Sequence, residues 1–440
     1  MTVDEATRYV LEQARARGVH VEVLGTRTRE TSARAFQGRV EQLTEAVRGG
    51  LGLRVVVDGR VGYAYSEELT PAALEWALTE AVENAVLQPP GEGFLPTGGA
   101  LGEHDLVGDR LQAPLAAKIG AALGFEGTLR EDARVQQVVL AGYVEREQEV
   151  RLASTAGRSG AYRRGVVGTV GSVVMRQGTS LKQAWEAQFV TGVAALDPGR
   201  TALDLTERTG RLLGARPLRT GRYPAYLEPK PFAALLAAFW PMWSGKMVQE
   251  GKSRLRGRLG ERIASPLVTL VDDPTLPDGL ATRPFDAEGT PARPLTLVED
   301  GVLRAFLTNS ETARALGLPN TGHAARSYRS VLGVAPSNLY LAPRGPLPLA
   351  RGVLVAEVMG VHAGTNPVTG EFSVQALGLW VEDGAVASPL ENFTVAGDFL
   401  DLLAHVVGVG DGLRWELEGP SAFGAPGVVA VESLSFAGES

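Results

Sequence analysis

The amino-acid sequence predicts an α+β protein, with an N-terminal α/β-type mixed domain and a C-terminal domain rich in antiparallel β-strands. Three observations carry this. A chain of 440 residues is too long for one ordinary hydrophobic core, so at least two domains are expected. Residues 135–191 alternate polar and apolar side chains over long runs, as in an antiparallel sheet with one wet face. Beyond about residue 220 the chain becomes strand-dominated, with Asp-Gly turns in "VEDGVL" and "VEDGAV". The domains are therefore placed at 1–220 and 221–440.

The elements follow in order. Val10, Leu11 and Ala14 give one face of a first helix, which Gly18 stops. "VHVEVLG" alternates at period two and reads as a strand. "GLGLRVVVDGRVGYAYSEELTP" reads as a hairpin around Asp58-Gly59, a pair that tolerates the positive φ angles of a type I′ turn. Thr70 as N-cap and Pro71 at the first helical position open a helix running to about Leu87. Residues 88–105 read as a loop from their glycines and prolines, and a helix is expected at 113–124. Another helix around 200–214 ends at Gly214, and short helices are expected near 230–240, 310–316 and 397–407.

Composition removes several function classes. The net charge of -7 argues against a nucleic-acid partner, since phosphate binding needs a concentrated basic surface. The arginines around Arg254 read as a solvated face. No apolar run is long enough for a spanning helix, and the acidic N-terminus is unlike a secretory signal, so a cytoplasmic, non-membrane protein is expected. With no cysteine, thiolate nucleophiles and sulfur-ligated zinc are excluded.

The five histidines, His20, His104, His323, His362 and His405, show no HExxH-type spacing. His362 lies in "MGVHAGTNPVTGEFS", which fits neither phosphate-loop pattern and reads first as a loop between strands. No GxSxG elbow is present. The densest acids, Asp272, Asp273, Asp278, Asp286 and Glu288, sit among prolines and glycines. Capped turns are their default reading, with acid–base work the alternative. "FAALLAAFWPMWSG" (232–245) is bulky and apolar, and its Phe239, Trp240 and Trp243 either pack in a core or wall a cleft. The candidate cleft residues are thus Phe239, Trp240, Trp243, Asp286, Glu288, His323 and His362; no catalytic or metal residue is assigned.

Taken together, "GLGLRVVVDGRVGYAYSEELTPAALEWAL", "ARALGLPNTGHA", "SNLYL", "VMGVHAGTNPVTGEFS" and "ENFTVAGDFLDLL" resemble the TldD/PmbA family, whose members also carry the label modulator of DNA gyrase. The resemblance runs over nearly the whole chain. It implies a metallopeptidase system acting on unfolded or small peptides, in which a TldD-type chain carries an HExxxH zinc motif and pairs with a TldE/PmbA-type chain. It places that motif on the helix opening the C-terminal domain, where this sequence has "FAALLAAFWPMWSG" without histidine or glutamate. The expectation is a TldE/PmbA-like subunit with no cofactor of its own, zinc residing in a TldD-type partner. Two rivals remain: a stand-alone peptidase using Asp272, Asp286 or Glu288 with His323 or His362, and a homodimeric peptide-binding scaffold.

Overall fold

The computed structural model describes residues 1–438. One seven-stranded sheet takes all its strands from residues between 20 and 190, and the remaining sheets begin at Gly221. In the first sheet Arg60–Ser66, Arg39–Val57, His20–Phe36, Val135–Ser154 and Ser159–Gln177 lie side by side, all antiparallel. The outer edge of Ser159–Gln177 is shared by Ala100–Asp105, parallel to it, and Ser180–Val190, antiparallel. The strand Ala100–Asp105 corrects the expected 88–105 loop. Its short, charged, glycine-containing sequence has no strand pattern, and the pairing with 159–163 imposes the conformation.

The first helix, Val3–Ala16, starts at a Thr2–Glu5 capping box and ends before Gly18 at φ 66°. Pro71–Val86 begins after Thr70, whose hydroxyl accepts from the amide of Ala73. The hairpin between them turns at Asp58 and Gly59, both at positive φ. Leu115–Glu131 runs past its predicted end because Phe125 and Leu129 still bury against Val138, Val173 and Met175. Pro198–Gly210 adds Ala202 and Leu205 to that cluster.

Strand alternation gives this sheet two unlike faces. Val21 and Val23 point into the helices Val3–Ala16 and Pro71–Val86, with Leu51, Leu53 and Val55. The intervening Glu22, Leu24 and Thr26, with Gln148, Val150, Tyr162 and Arg164 on neighbouring strands, point toward the C-terminal half. The wet face read from the sequence is an internal wall.

In the C-terminal half, Ala385–Asp398, Glu371–Glu382, Gly352–Met359, Gly221–Leu227 and Val429–Ala437 pair in that order, and Val429–Ala437 pairs back to Ala385–Asp398. The five strands close a small barrel, which leaves no free edge among them. A second sheet joins Val302–Leu303, Leu295–Glu299, Leu270–Asp272, Asn338–Leu341, Ser421–Ala425 and Arg414–Glu418. The predicted Asp-Gly turns are present, with Asp300, Gly301, Asp383 and Gly384 at positive φ. The expected α+β class, with mostly antiparallel sheets, holds.

Candidate functional site between the two halves

The helix Pro229–Phe239 runs through the middle of the C-terminal core. Phe239 stacks on Phe399 at 4.7 Å between ring centroids, and Trp243 meets the same ring edge-on at 6.4 Å. Both side chains are fully enclosed, and Trp240 is half-buried against the same cluster. The structure therefore places the aromatic block in core packing. Phe232, Leu235, Leu236 and Phe239 fill the core, while Ala234, Ala237 and Ala238 leave a half-buried strip of small side chains on the other face of the helix.

The acids and His323 gather at the boundary between the halves. Asp272 accepts from Nε2 of His323 at 2.9 Å, and from the amide and hydroxyl of Ser337 at 2.8 and 2.7 Å. Burial opposes its charge, yet the hydrogen bonds from His323 and Ser337 hold Asp272 below the ordinary aspartate range. Nδ1 of His323 lies 2.9 Å from Oγ1 of Thr321, which gives an Asp–His–Thr chain like a nucleophile relay. Its geometry is structural instead. His323 has no exposed surface, and the Thr321 hydroxyl accepts from the amide of Thr308 at 2.7 Å.

Asp286 caps a turn, accepting from the amides of Glu288, Thr290 and Ala324 at 2.9, 2.8 and 3.0 Å. Burial, aided by the charge of Glu288, pushes it up to about 6. Glu288 is fully buried and takes Nη1 of Arg54 at 2.7 Å, with the Ser310 amide at 2.9 Å and the Ser310 hydroxyl also donating. The same Arg54 nitrogen lies 3.4 Å from Glu22, which in turn pairs with Arg326 at 3.0 Å. Two acids of opposite halves are thus shared by two arginines of opposite halves. His362 stands apart, exposed on the one-turn helix Val361–Gly364, with Glu418 at 3.9 Å. Of the candidate residues the structure brings together Asp286, Glu288 and His323, and leaves the aromatics and His362 elsewhere.

A second interface network went unread in the sequence. Arg208 reaches Glu186 at 2.6 Å, Glu357 at 3.4 Å and Glu228 at 3.5 Å. Lys230 lies 3.7 Å above the Trp185 ring and 3.1 Å from Glu357. Glu416 sits beside Arg414, and burial pushes it up to about 7. Charged residues scattered over such separations leave no local sequence signal.

Between the polar face of the seven-stranded sheet and residues 280–287, 324–336 and 417–420 lies a cavity of about 600 Å³. The loop at 326–330 closes down on the sheet because Gly52 has no side chain: a Cβ there would meet the Tyr328 carbonyl oxygen at 2.3 Å. Arginines 146, 164, 283 and 326 face the cavity, with Asp286 the one acid among its lining residues.

Zinc ligation is not available where the family resemblance would put it. The side chains of Pro229–Phe239 are proline, alanine, leucine, phenylalanine and one lysine, and among the described residues no three histidine, aspartate or glutamate side chains converge on a point that could hold a metal. No helix among them is long and apolar enough to cross a membrane.

Comparison with known proteins fits this architecture. Residues 220–438 match the PmbA/TldA metallopeptidase C-terminal domain, residues 21–86 its domain 1 and residues 109–213 its central domain. The Escherichia coli O157:H7 metalloprotease PmbA is 27% identical over 431 residues, covering 94% of this chain and 92% of its own. A Methanothermobacter thermautotrophicus metalloprotease is 28% identical over 407 residues, 88% of this chain and 87% of its own. Among solved structures, a Thermotoga maritima protein described as a candidate modulator of a DNA gyrase superposes with a TM-score of 0.87 at 28% identity, over 99% of this chain and all of that one. TldE from Thermococcus kodakarensis shares the fold, with a TM-score of 0.84 at 21% identity over 98% of this chain and 100% of that one.

Proposed function

Because the chain belongs to the PmbA/TldD metallopeptidase family, we propose that it is the subunit of a cytoplasmic peptidase complex that shapes the peptide chamber while a zinc-bearing HExxxH chain of the same fold cuts. One observation carries this reading: the helix Pro229–Phe239 carries hydrocarbon and a single lysine, on its buried and its half-buried faces alike, where a catalytic chain would present ligands. A zinc peptidase needs about three protein ligands, an open water position and a general base. That helix supplies none of these. The stand-alone reading lacks a histidine in the cavity, since His323 is enclosed and hydrogen-bonded on both ring nitrogens while His362 is far out on the surface.

The test is reconstitution. Mixed with an HExxxH chain of the family, this protein should raise chelator-sensitive hydrolysis of an unfolded peptide at least about tenfold over that chain alone, the gain expected when a binding surface completes a reaction geometry. The isolated chain should bind no stoichiometric zinc by elemental analysis. About one zinc per isolated chain, together with hydrolysis that a chelator abolishes, overturns the proposal.

A further inference from the structure

Two arginines lining the cavity have no carboxylate in contact among the described residues. The Nε and Nη2 atoms of Arg283 are enclosed and make no hydrogen bond, and among the described residues no carboxylate lies within 4.0 Å of that guanidinium, although the buried Asp272 and Asp286 are near enough to feel its charge. Arg164 turns Nε and Nη2 onto a single neutral acceptor, the Gln148 side-chain oxygen, at 3.1 and 3.0 Å. A third, Arg326, has a side chain only 1% exposed and gives one arm to Glu22, but its Nε is buried without a partner. These groups are close enough to act on one another. Burial, with the positive charges of Arg283 and Arg146, holds Arg164 below the ordinary arginine value. Arginine remains charged even so.

The nearby charges do not neutralise the pair. Arg146 is matched by Glu30 at 2.7 Å. Glu22 and Glu288 are matched by Arg54 and Arg326. Asp286 spends its oxygens on three backbone amides. Arg164 and Arg283 therefore remain partly buried cations with no carboxylate in contact, Arg283 sharing only the longer-range field of Asp272 and Asp286, a costly arrangement that folded proteins otherwise avoid.

We infer that this cavity is a carboxylate-binding pocket, in which the guanidinium groups of Arg164 and Arg283 on its wall hold a carboxylate group of a bound peptide. Nε and Nη2 of Arg164 are spent on Gln148 and those of Arg283 are enclosed, so the Nη1 groups are the donors left for charge-assisted hydrogen bonds to a carboxylate. Leu24, Val150, Val166 and Leu280 give the rest of the wall an apolar surface for the chain behind that group. Asp286 on the wall, and a net charge of -7 over the whole molecule, disfavour a dianion or polyanion. The identity of the occupant as a peptide rests on the function proposed above; the arginine pocket itself does not depend on any partner chain.

The experiment is a binding titration on the isolated full-length chain with three N-acetylated tripeptides of small apolar residues: a free acid, its C-terminal amide, and an amide with a central aspartate. The free acid should bind at least about tenfold tighter than the plain amide, the size of one charge-assisted hydrogen bond. Arg283→Gln and Arg164→Gln should each remove most of that preference while the protein keeps its cooperative thermal transition, and Arg283→Lys should restore only part of it. If the aspartate amide binds like the free acid, side-chain carboxylates are the source; if it binds like the plain amide, the C-terminus is. Both outcomes support the pocket. Equal binding of acid and plain amide, no binding of any peptide, an undiminished preference in Arg283→Gln, or displacement by inorganic phosphate at equal concentration overturns it. Reconstitution with the zinc-bearing chain, run on amidated peptide, reads the subunit role without this pocket, so the two ideas fail separately.

Discussion

Arg54 and Arg283 both carry a guanidinium to the boundary between the two halves, and their surroundings differ. Arg54 meets Glu22 and Glu288 and gives Nη2 to the Phe94 carbonyl at 2.7 Å. Among the described residues Arg283 touches no acid, and its Nε and Nη2 have no hydrogen-bond acceptor. The first arginine ties the halves together, since Glu288 comes from one and Arg54 from the other. The second lies beside a cavity large enough for a short peptide segment. The contrast separates charge used to fix the fold from charge left available to a ligand, which natural proteins accept at functional sites at some loss of stability.

The comparison is broken most severely by removing a matched arginine. Arg54→Met leaves Glu288 and Glu22 buried with Arg326 and the more distant Arg158 as their cations, and should destabilise the protein by about 3–5 kcal/mol in denaturant unfolding. A loss under about 1 kcal/mol would show that the network only decorates the interface.

The second interface network sharpens it through pH. Glu416 is pushed up to about 7 from an ordinary value of 4.5, chiefly by burial and with Glu186 adding to it, against the pull of Arg414. A raised carboxyl contributes stability fully present below about pH 4.5, lost as pH rises through about 7. At 1.36 kcal/mol per unit the loss is at most about 3 kcal/mol. Glu416→Gln should therefore match the native protein near pH 4 and exceed it at pH 8, by up to that amount. Parallel stability curves from pH 5 to 8 would remove Glu416 as the titrating group.

The smallest effect has the opposite sign to the first. Arg283→Met keeps the bulk of the side chain and removes two buried, unsatisfied donors, so it should stabilise the isolated protein by about 1 kcal/mol. A fall in melting temperature would mean that Arg283 is matched in solution and that the contrast with Arg54 is not real.

Much of the scaffold was readable before any coordinates. The Thr70-Pro71 helix start, the Asp58-Gly59 turn and the two later Asp-Gly turns depend on local φ preferences and caps, which a few adjacent residues fix. The strand Ala100–Asp105 was not readable, because parallel pairing to residues 159–163 decides it. The aromatic block illustrates an intermediate case. Its lack of metal-ligating side chains is a fact of composition, but whether Phe239 and Trp243 wall a cleft or fill a core depended on Phe399, more than 150 positions away in the chain.

By itself, then, the sequence determined the α+β class, the family and the absence of ligands on the helix at 229–239, since each is carried by neighbouring residues or by their order along the chain. Tertiary structure alone decided where charge is balanced. Glu22 finds Arg326 across 304 positions, and Arg54 finds Glu288 across 234. An ion pair needs contact in space and leaves no periodic trace in a chain. For the same reason the unmatched Arg164 and Arg283 could be recognised only after every other nearby charge had found its partner.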